Sequence, residues 1–289
     1  MEQKLVVVTG GAGFIGSHLC ERLVKEGYKV ISLDNYFTGS KENHVSGVEY
    51  REGHTKDIAT LIPEEPDILY HLGEYSRTAV AMEEPGVVLD LNIVGTLGVA
   101  EFWRKHKCKL VYAGSSTKKA DVRADGTEGR DLSPYTWSKA VNTELVGNYA
   151  RWYTLPYATV YFFNVYGPRE MAGKYGTVIE IFRQNLIRKQ PHKVNGPGTQ
   201  TRTYTHVSDT VEGIVLAAEK GEGDDYGISS VDTVSTLELA QMFGGEIEMQ
   251  PQRKTSRPST PVDSSRMQAL GWAQKHSLKD YIEECKRKK

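Results

Sequence analysis

The residues best suited to chemistry in this sequence are a tyrosine and a lysine four positions apart. Tyr135 and Lys139 lie in the segment 133–139, SPYTWSK. Ser133 is a suitable N-cap and Pro134 a suitable first helical residue, so both side chains are expected on one face of a helix, one turn apart. An ammonium so placed favours the ionised form of a phenol, whose ordinary pKa is about 10. The pair predicts a tyrosine that acts as a general base.

A serine hydroxyl is predicted to face this pair from the end of a strand. The segment 109–113 reads as a strand and continues into Gly114-Ser115-Ser116-Thr117. Because ligands of open α/β sheets bind outside the carboxyl ends of the strands, Ser115 is expected to donate to the oxygen that the tyrosine deprotonates. A Tyr-x-x-x-Lys pair alone is more often a surface tyrosine beside a solvated lysine. The start of the chain decides against that reading.

Residues 1–16 predict a strand, a glycine-rich turn and the start of a helix. The β-branched run 5–8 suits a buried parallel strand, and an amphipathic helix is predicted to begin at Phe14. Gly10 and Gly13 precede this helix, and Gly16 lies in its first turn. A helix N-terminus presents unpaired N–H groups to a phosphate. The glycines allow the tight turn and the close backbone approach that a dinucleotide requires.

A second predicted strand, 28–33, ends at Asp34, eighteen residues beyond Gly16. A carboxylate there accepts hydrogen bonds from both ribose hydroxyls and repels a 2′-phosphate, so the predicted cofactor is NAD rather than NADP. Beside an oxidised nicotinamide, an ionised Tyr135 can remove a hydroxyl proton while hydride leaves the same carbon.

The elements that must position these groups alternate between strand and helix in the first half of the chain, which is typical of a doubly wound parallel sheet. The predicted strands are 5–8, 28–33, 48–51, 67–70, 109–113 and 157–162, and the long helices are 87–105 and 134–153. After Gly167, Pro-Gly turns, arginine-rich loops and a shorter helix over 177–189 predict a smaller second lobe. We expect a Rossmann domain over 1–165 and a mainly substrate-binding α/β lobe over 166–289, with part of 200–220 returning to the first domain.

Bulk composition fits a soluble enzyme. The chain has 289 residues, of which 39% are hydrophobic and 25% charged, enough for a full core. A net charge of -1 gives no reason to expect nucleic acid or an anionic membrane as a partner. The three cysteines have neither disulfide-framework nor metal spacing, and no signal peptide or long apolar run is apparent, so no metal and a cytoplasmic location are expected.

Several short motifs, each occurring once, are spread over nearly the whole chain. They are TGGAGFIG at 9–16, Asp34-Asn35, His71-Leu72-Gly73, NIVGT at 92–96, Ser115, Tyr135 with Lys139, NVYGP at 164–168, Thr201-Arg202, Arg257-Pro258 and Leu270-Gly271-Trp272. With them the chain resembles the extended short-chain dehydrogenase/reductases, and within these the NAD-dependent nucleotide-sugar epimerases and dehydratases of the UDP-glucose 4-epimerase type.

The resemblance implies a role for each matching position. Ser115 is implied as the catalytic hydroxyl, Tyr135 as the base, and Lys139 as the residue that promotes ionisation of the phenol and holds the nicotinamide ribose. The implied cofactor-binding residues are Gly10, Gly13, Phe14, Ile15, Gly16, Asp34, Asn35, Leu72, Gly73, Asn92, Tyr135 and Lys139. The implied substrate-binding residues are Ser115, Ser116, Thr117, Asn164, Arg202 and Arg257, the last three at the diphosphate. Two arginines and an amide also suit a pyrophosphate on chemical grounds.

Three departures from the family pattern stand out. His54 replaces an aspartate that usually contacts adenine, and Gly73 replaces a usual alanine. Lys118-Lys119 replace a Val-Tyr pair after the serine strand, where a solvated loop is the simpler interpretation and extra anion contacts are the alternative.

The expected reaction is 4-epimerisation of a nucleotide sugar, with a UDP-sugar the favoured substrate. The 4,6-dehydratases carry an Asp-Glu pair just after the catalytic hydroxyl, whereas this chain has Ser116 and Thr117, which cannot serve as the additional acid and base. A dehydratase or decarboxylase that recruits Glu74 or Glu128 remains an alternative. A non-catalytic NAD-binding regulatory protein is another, which the intact Ser115, Tyr135 and Lys139 disfavour.

By the same resemblance, the helices 87–105 and 134–153 are expected to pair with their copies in a homodimer. Val94, Leu97, Val141 and Leu145 are apolar residues that either line this contact or face their own sheet.

Overall fold

The computed structural model describes residues 3–78, 80–115, 133–251 and 263–288. The strands are β1 (Leu5–Thr9), β2 (Lys29–Asp34), β3 (Val48–Glu52), β4 (Ile68–His71), β5 (Lys109–Ser115), β6 (Tyr157–Phe162), β7 (Val165–Tyr166), β8 (His192–Asn195), β9 (Thr201–Thr203), β10 (Thr205–His206), β11 (Gly223–Ile228), β12 (Thr233–Ser235) and β13 (Ile247–Gln250). The helices are α1 (Phe14–Lys25), α2 (Ile58–Leu61), α3 (Pro85–Leu89), α4 (Gly95–His106), α5 (Pro134–Tyr153), α6 (Val178–Arg188), α7 (Val207–Lys220), α8 (Thr236–Phe243), α9 (Ser265–Ala269) and α10 (Leu278–Arg287).

Within the described ranges, seven parallel strands form the central sheet in the order β11-β6-β5-β4-β1-β2-β3. The strand order reverses between β1 and β4, which is the switch point at which doubly wound sheets bind ligands. This sheet, with helices on its faces, confirms the predicted fold class.

Alternating side chains of β1 belong to two hydrophobic cores, one on each face of the sheet. Val6 and Val8 pack with α1 and α7, whereas Val7 packs with α4 and α5, and all three are fully buried. A strand covered on both faces reads as a continuous apolar run, which is why the sequence revealed it. Each such side chain contributes roughly 1.5–3 kcal/mol by leaving water.

A continuous helix runs over Pro85–His106, with a π-helical turn at Asp90–Val94 between α3 and α4. It is long and apolar enough to cross a bilayer by length and composition, with a mean hydropathy of 1.3 over its most apolar window, and half of that window is buried. A single helix of this kind is a weak indication, since a core helix passes the same test. Here Val99, Phe102 and Trp103 lie in the core of the sheet.

Helix α5 begins where the sequence predicts. The Ser133 hydroxyl accepts a hydrogen bond from the Thr136 amide at 3.2 Å, and the Thr136 hydroxyl accepts from the Ser133 amide at 2.9 Å. Pro134 occupies the first turn, where its missing N–H costs nothing. This capping box fixes the position of Tyr135 in the first turn.

The second lobe has its own apolar core between α6, α8 and α10. Phe182, Leu239, Phe243 and Ile282 are almost fully buried in it. Short two-stranded sheets, β13 with β8 and β12 with β9, flank this core. Helix α6 begins after Thr177 and ends before Lys189, which agrees with the predicted 177–189.

The chain returns to the first domain after the second lobe has begun. Helix α7 packs on α1 and β6, and β11 then pairs with β6 at the edge of the central sheet. Strand β11 is not predicted from the sequence, because GDDYGI carries two aspartates and two glycines, which are depleted in strands. Residues 223–228 therefore belong to the Rossmann sheet.

Candidate functional site

A cavity of about 1010 Å³ opens at the carboxyl ends of β1, β2, β4 and β5. Its size reaches the upper end of the usual range for ligand pockets, roughly 300–1,000 Å³. Most of the predicted cofactor residues line it: Gly10, Gly13, Phe14, Ile15, Gly16, Asp34, Asn35, Leu72, Gly73, Tyr135 and Lys139. Ser115, Asn164 and Arg202 also line it, so residues from both lobes share one cavity.

The glycine loop has no room for side chains. A Cβ on Gly16 would lie 2.1 Å from the Gly10 carbonyl oxygen, and Gly10 has a positive φ of +76°. A Cβ on Gly73 would approach the Gly10 amide at 3.0 Å, so this position is also tightly packed against the loop. The backbone is thus left bare at the N-terminus of α1, as close approach by a pyrophosphate requires.

Asp34 lies at the end of β2 beside this loop and is 6% exposed. Its carboxylate accepts hydrogen bonds from the Ala12 amide at 2.9 Å and from the Tyr36 amide at 2.8 Å. Burial raises the pKa of Asp34, and the two amide hydrogen bonds oppose that rise. A carboxylate has about four lone-pair sites, so each oxygen retains capacity for a ribose hydroxyl.

One predicted cofactor residue, Asn92, and the departure from the family pattern at His54 need separate description. Asn92 does not line the cavity: it is fully buried, accepts from the Tyr75 amide at 2.6 Å and donates to the Ser138 hydroxyl at 2.9 Å. It braces the loop after β4 against α5. His54 caps the turn at Thr55–Asp57 by accepting from the Lys56 amide at 3.0 Å, and its neighbours Gly53 and Thr55 line the cavity in its place.

Tyr135 and Ser115 come together at the end of β5. The Tyr135 hydroxyl donates to the Ser115 hydroxyl oxygen at 3.4 Å, and both residues are buried. Lys139, one helical turn further along α5, is 5% exposed. This arrangement places a phenol, an alcohol and an ammonium at the carboxyl edge of the sheet, within one cavity wall.

The Lys139 ammonium is held by two acceptors. It donates to the Ala113 carbonyl oxygen at 2.6 Å and forms a short ion pair with Glu74. The Glu74 side chain is only 2% exposed. Glu74, an alternative acid or base for elimination on sequence grounds, lies against the lysine in this structure and also accepts hydrogen bonds from Asn142 and Thr96.

Asn164 and Arg202, which the sequence predicts to bind substrate, both line the cavity. Asn164 has a positive φ of 41°, and its amide donates to the Thr203 carbonyl oxygen at 2.8 Å. Burial lowers the pKa of Arg202, and Tyr204 opposes this. The other predicted substrate residues, Ser116, Thr117 and Arg257, lie outside the described residues, as do Lys118, Lys119 and Glu128.

Sequence reasoning missed several residues of the cavity wall. Arg77, Tyr75 and Thr177 all line it. The Arg77 guanidinium forms a short hydrogen bond to the Tyr175 carbonyl oxygen, and the Tyr75 ring lies 6.5 Å from the Tyr135 ring. The cluster of Tyr75, Ser76 and Arg77 directly after the strand that ends at His71 was the available signal, because loops at this sheet edge carry ligand contacts.

The glycine loop, Asp34 and the Ser115, Tyr135 and Lys139 cluster define a dinucleotide-dependent enzyme of the short-chain dehydrogenase/reductase type. A sequence model of the NAD dependent epimerase/dehydratase family matches residues 6–229. The chain belongs to this family, and its cofactor is NAD.

Two relatives and one solved structure illustrate the likeness. The chain is 29% identical over 294 residues to a putative UDP-glucose 4-epimerase of Methanocaldococcus jannaschii, covering 96% of each chain. It is 33% identical over 257 residues to a UDP-N-acetyl-alpha-D-glucosaminuronate decarboxylase of Bacillus cytotoxicus, covering 83% of this chain and 79% of the relative. The crystal structure of UDP-glucose 4-epimerase from Thermotoga maritima with UDP-glucose superposes with a TM-score of 0.91 at 27% identity, covering 98% of this chain and 99% of that one.

Proposed function

We propose that this protein is an NAD-dependent nucleotide-sugar 4-epimerase. The observation that carries the proposal is the pairing of the Tyr135 hydroxyl with Ser115 at 3.4 Å in the cavity that the glycine loop also lines. A base and a hydrogen-bond donor that converge on one point suit the reversible oxidation of a secondary alcohol.

The cofactor would be held by the backbone at Gly10, Gly13 and Gly16, by Asp34 at the adenosine ribose and by Lys139 at the nicotinamide ribose. When bound, NAD would supply a reversible hydride acceptor for oxidation and reduction at the sugar carbon.

Tyr135 takes the proton from the C4 hydroxyl, and Ser115 holds the same oxygen in line. The resulting 4-keto sugar turns over in the cavity, and Tyr135 returns the proton to the oxygen when the other face is presented. Asn164, Arg202 and Arg257 hold the diphosphate and tether the sugar during this turn.

The favoured substrate is a UDP-sugar. The names of both relatives and of the solved structure refer to UDP-sugars. Arg202 in the cavity wall fits the diphosphate that all nucleotide sugars share.

A decarboxylase acting on a UDP-uronic acid is the second candidate. The Bacillus cytotoxicus relative carries such a name, and Arg77 in the cavity wall is a suitable partner for a substrate carboxylate. Oxidation at C4 of a uronic acid yields a β-keto acid, which loses carbon dioxide. A 4,6-dehydratase is disfavoured by Ser116 and Thr117, which provide neither the acid nor the base.

We also propose a cytoplasmic homodimer. Val94 is 45% exposed and Leu97 is 47% exposed on α4 and its preceding turn, so neither faces its own sheet. Leu145 packs partly against the core. Cys20 and Cys108 are buried as free thiols, which fits a reducing compartment.

The test is a panel of UDP-, dTDP-, GDP- and CDP-sugars, uronic acids included, incubated with the purified protein and followed by proton NMR and mass spectrometry. Epimerisation of a neutral UDP-sugar changes the ring-proton couplings and leaves the mass unchanged. Loss of one carbon dioxide from a UDP-uronic acid would establish the decarboxylase instead. Loss of one water would establish a dehydratase, and NAD binding without conversion of any sugar would favour a regulatory protein.

A further inference from the structure

Glu170 is a buried acidic residue in the wall of the cavity, in the segment that leads from β7 to α6. It is 8% exposed, and neither of its carboxyl oxygens has a hydrogen-bond partner among the residues that the structure describes. Burying such a group without a partner is unfavourable, and buried polar groups of folded proteins are almost always hydrogen-bonded. The protein itself therefore leaves the burial of Glu170 uncompensated.

Glu180 of α6 shows how the same residue type is buried elsewhere in this lobe. It is 4% exposed, and its carboxylate accepts hydrogen bonds from the Arg183 guanidinium at 2.6 and 2.8 Å and from the Gln184 amide at 2.9 Å. Glu180 is not part of the cavity wall. Of these two buried glutamates, the one with partners belongs to the packing of the lobe, and the one without partners lies at the cavity.

The surroundings of Glu170 give its carboxyl group no firm counter-charge. Burial raises its pKa to about 7 and Glu180 adds to the rise, whereas Thr177 and Arg77 oppose it. Thr177 lies close by, but its hydroxyl also has no hydrogen-bond partner of good geometry. The Arg77 guanidinium forms its short hydrogen bond to the Tyr175 carbonyl oxygen. The nearest donors thus leave Glu170 free to accept a hydrogen bond from another molecule.

This part of the cavity wall adjoins the proposed catalytic residues. Arg77 belongs to the same loop as Tyr75, whose ring lies 6.5 Å from the ring of Tyr135 and 6.4 Å from that of Tyr175. Tyr75 and Arg77 of the first domain and Glu170 of the second lobe all line the cavity. A sugar that presents its C4 hydroxyl to Tyr135 would therefore have this wall beside it.

The chemistry of a carboxyl group indicates which part of a nucleotide sugar suits it. An ionised carboxylate only accepts hydrogen bonds, and it repels the negatively charged diphosphate. The hydroxyl and amide N–H groups of the sugar are donors without charge, and hydrogen bonds from such donors to a carboxylate are stronger than those between neutral groups. The sugar is thus the suitable ligand.

We propose that Glu170 is a specificity-determining residue that accepts a hydrogen bond from a hydroxyl or amide N–H group of the bound sugar. The inference rests on the proposed function and deepens it, because it assigns the sugar a polar contact in addition to those at the reacting C4 hydroxyl. The unpartnered state of Glu170 is then the cost of a contact that the sugar completes.

The direct test compares a sugar nucleotide with the same nucleotide lacking its sugar. The probes are UDP-glucose and UDP-N-acetylglucosamine, which carry a hydroxyl and an amide N–H at C2, and UDP, each titrated by calorimetry into the NAD-loaded protein. Glu170→Met replaces the carboxyl group by an apolar group of similar size. It is expected to weaken binding of at least one UDP-sugar about 10-fold or more, with UDP and NAD affinities unchanged. Unchanged UDP-sugar affinities, or equal weakening of UDP, would overturn the proposal.

Thermal unfolding of the ligand-free protein separates this role from a structural one. Removing an unpartnered buried carboxyl group is not expected to destabilise the fold, so Glu170→Met should melt at or above the wild-type temperature. Glu180→Met is the matched control, and it should melt lower because Arg183 loses its partner, while UDP-sugar affinity is retained. A Glu170→Met protein that fails to fold or melts well below the wild type would assign Glu170 to the packing of the lobe and contradict the proposal.

Turnover is measured separately from binding, so that the two proposals can fail independently. A wild-type protein that binds UDP-sugars but converts none defeats the proposed epimerase activity, yet the affinities of Glu170→Met still decide the role of Glu170. A wild-type protein that binds neither UDP-sugar would overturn both proposals.

Discussion

The half of the cavity that we propose for the dinucleotide is built mainly from backbone, whereas the half that we propose for the sugar nucleotide is built from side chains of distant segments. Gly10, Gly13 and Gly16 line the cavity and leave empty space where other residues carry side chains. Asn164 reaches the cavity from the loop after β6, whereas Arg202 reaches it from β9 in the second lobe. An added side chain in the glycine loop is therefore expected to disrupt the whole loop. Truncation of one contacting side chain in the other half is expected to remove only that contact.

The largest effect on NAD binding is expected from adding one methyl group to the half of the cavity that is built from backbone. In Gly16→Ala the new Cβ would lie 2.1 Å from the Gly10 carbonyl oxygen, so the loop must move. Overpacking of this kind costs about 1–3 kcal/mol, and we expect at least ~10-fold weaker NAD binding. The measurement is NAD affinity by calorimetry, together with thermal stability.

Gly86→Ala is the matched control, since its added Cβ meets nothing within 4 Å. It should retain NAD and gain slightly in helix stability. Wild-type NAD affinity in Gly16→Ala would show that the loop is not the tight cradle described.

The side-chain half is probed by Arg202→Ala. Loss of one charged contact to a diphosphate is expected to raise KM for the nucleotide sugar about 10- to 100-fold, since hydrogen bonds to charged groups contribute roughly 1.5–3 kcal/mol. NAD affinity should not change. Arg188→Ala, on the exposed end of α6, should leave both constants as they are. A KM equal to that of the wild type would remove Arg202 from the substrate site.

The part of the site that could be predicted from sequence follows the same contrast. The glycine loop and Asp34 were visible because a strand, a turn and a helix in direct succession leave little freedom. Tyr135 was placed correctly because Ser133 and Pro134 fix the start of α5. Arg77 and Glu74 were not assigned their positions, because no local pattern indicates which way a loop side chain turns.

Stability is expected to fall as the pH drops from 7 to 5, and His71 is one cause. The unfolded imidazole has an ordinary pKa near 6.5, whereas burial lowers that of His71 to about 4. Below pH 6.5 the unfolded chain takes up a proton that the folded protein does not, so stability is lost progressively toward pH 4. At pH 5 the loss attributable to His71 is about 2 kcal/mol.

Urea denaturation at both pH values would measure this loss. His71→Gln should show a smaller difference between the two pH values than the wild type, although it is less stable overall because His71 hydrogen-bonds to the hydroxyls of Thr9 and Thr96. An identical pH dependence in the two proteins would contradict the neutral, buried state of His71.

The smallest effect on chemistry is expected at the proposed subunit contact, which lies outside both halves of the cavity. Leu97→Glu places a charge on an apolar residue that is 47% exposed, and light scattering should report a monomer. Met249→Glu, 51% exposed on β13, should remain dimeric. A wild-type protein that is monomeric at micromolar concentration would refute the dimer.

The central claim is that the Tyr135 phenol performs the proton transfer at C4 beside bound NAD. The most direct measurement is the turnover of Tyr135→Phe on the substrate found in the NMR panel, with NAD and nucleotide-sugar affinities measured in parallel. We predict a loss of turnover of about 10²- to 10⁴-fold with both affinities retained, because only the proton-transferring oxygen is removed. Turnover near the wild-type level would contradict the account.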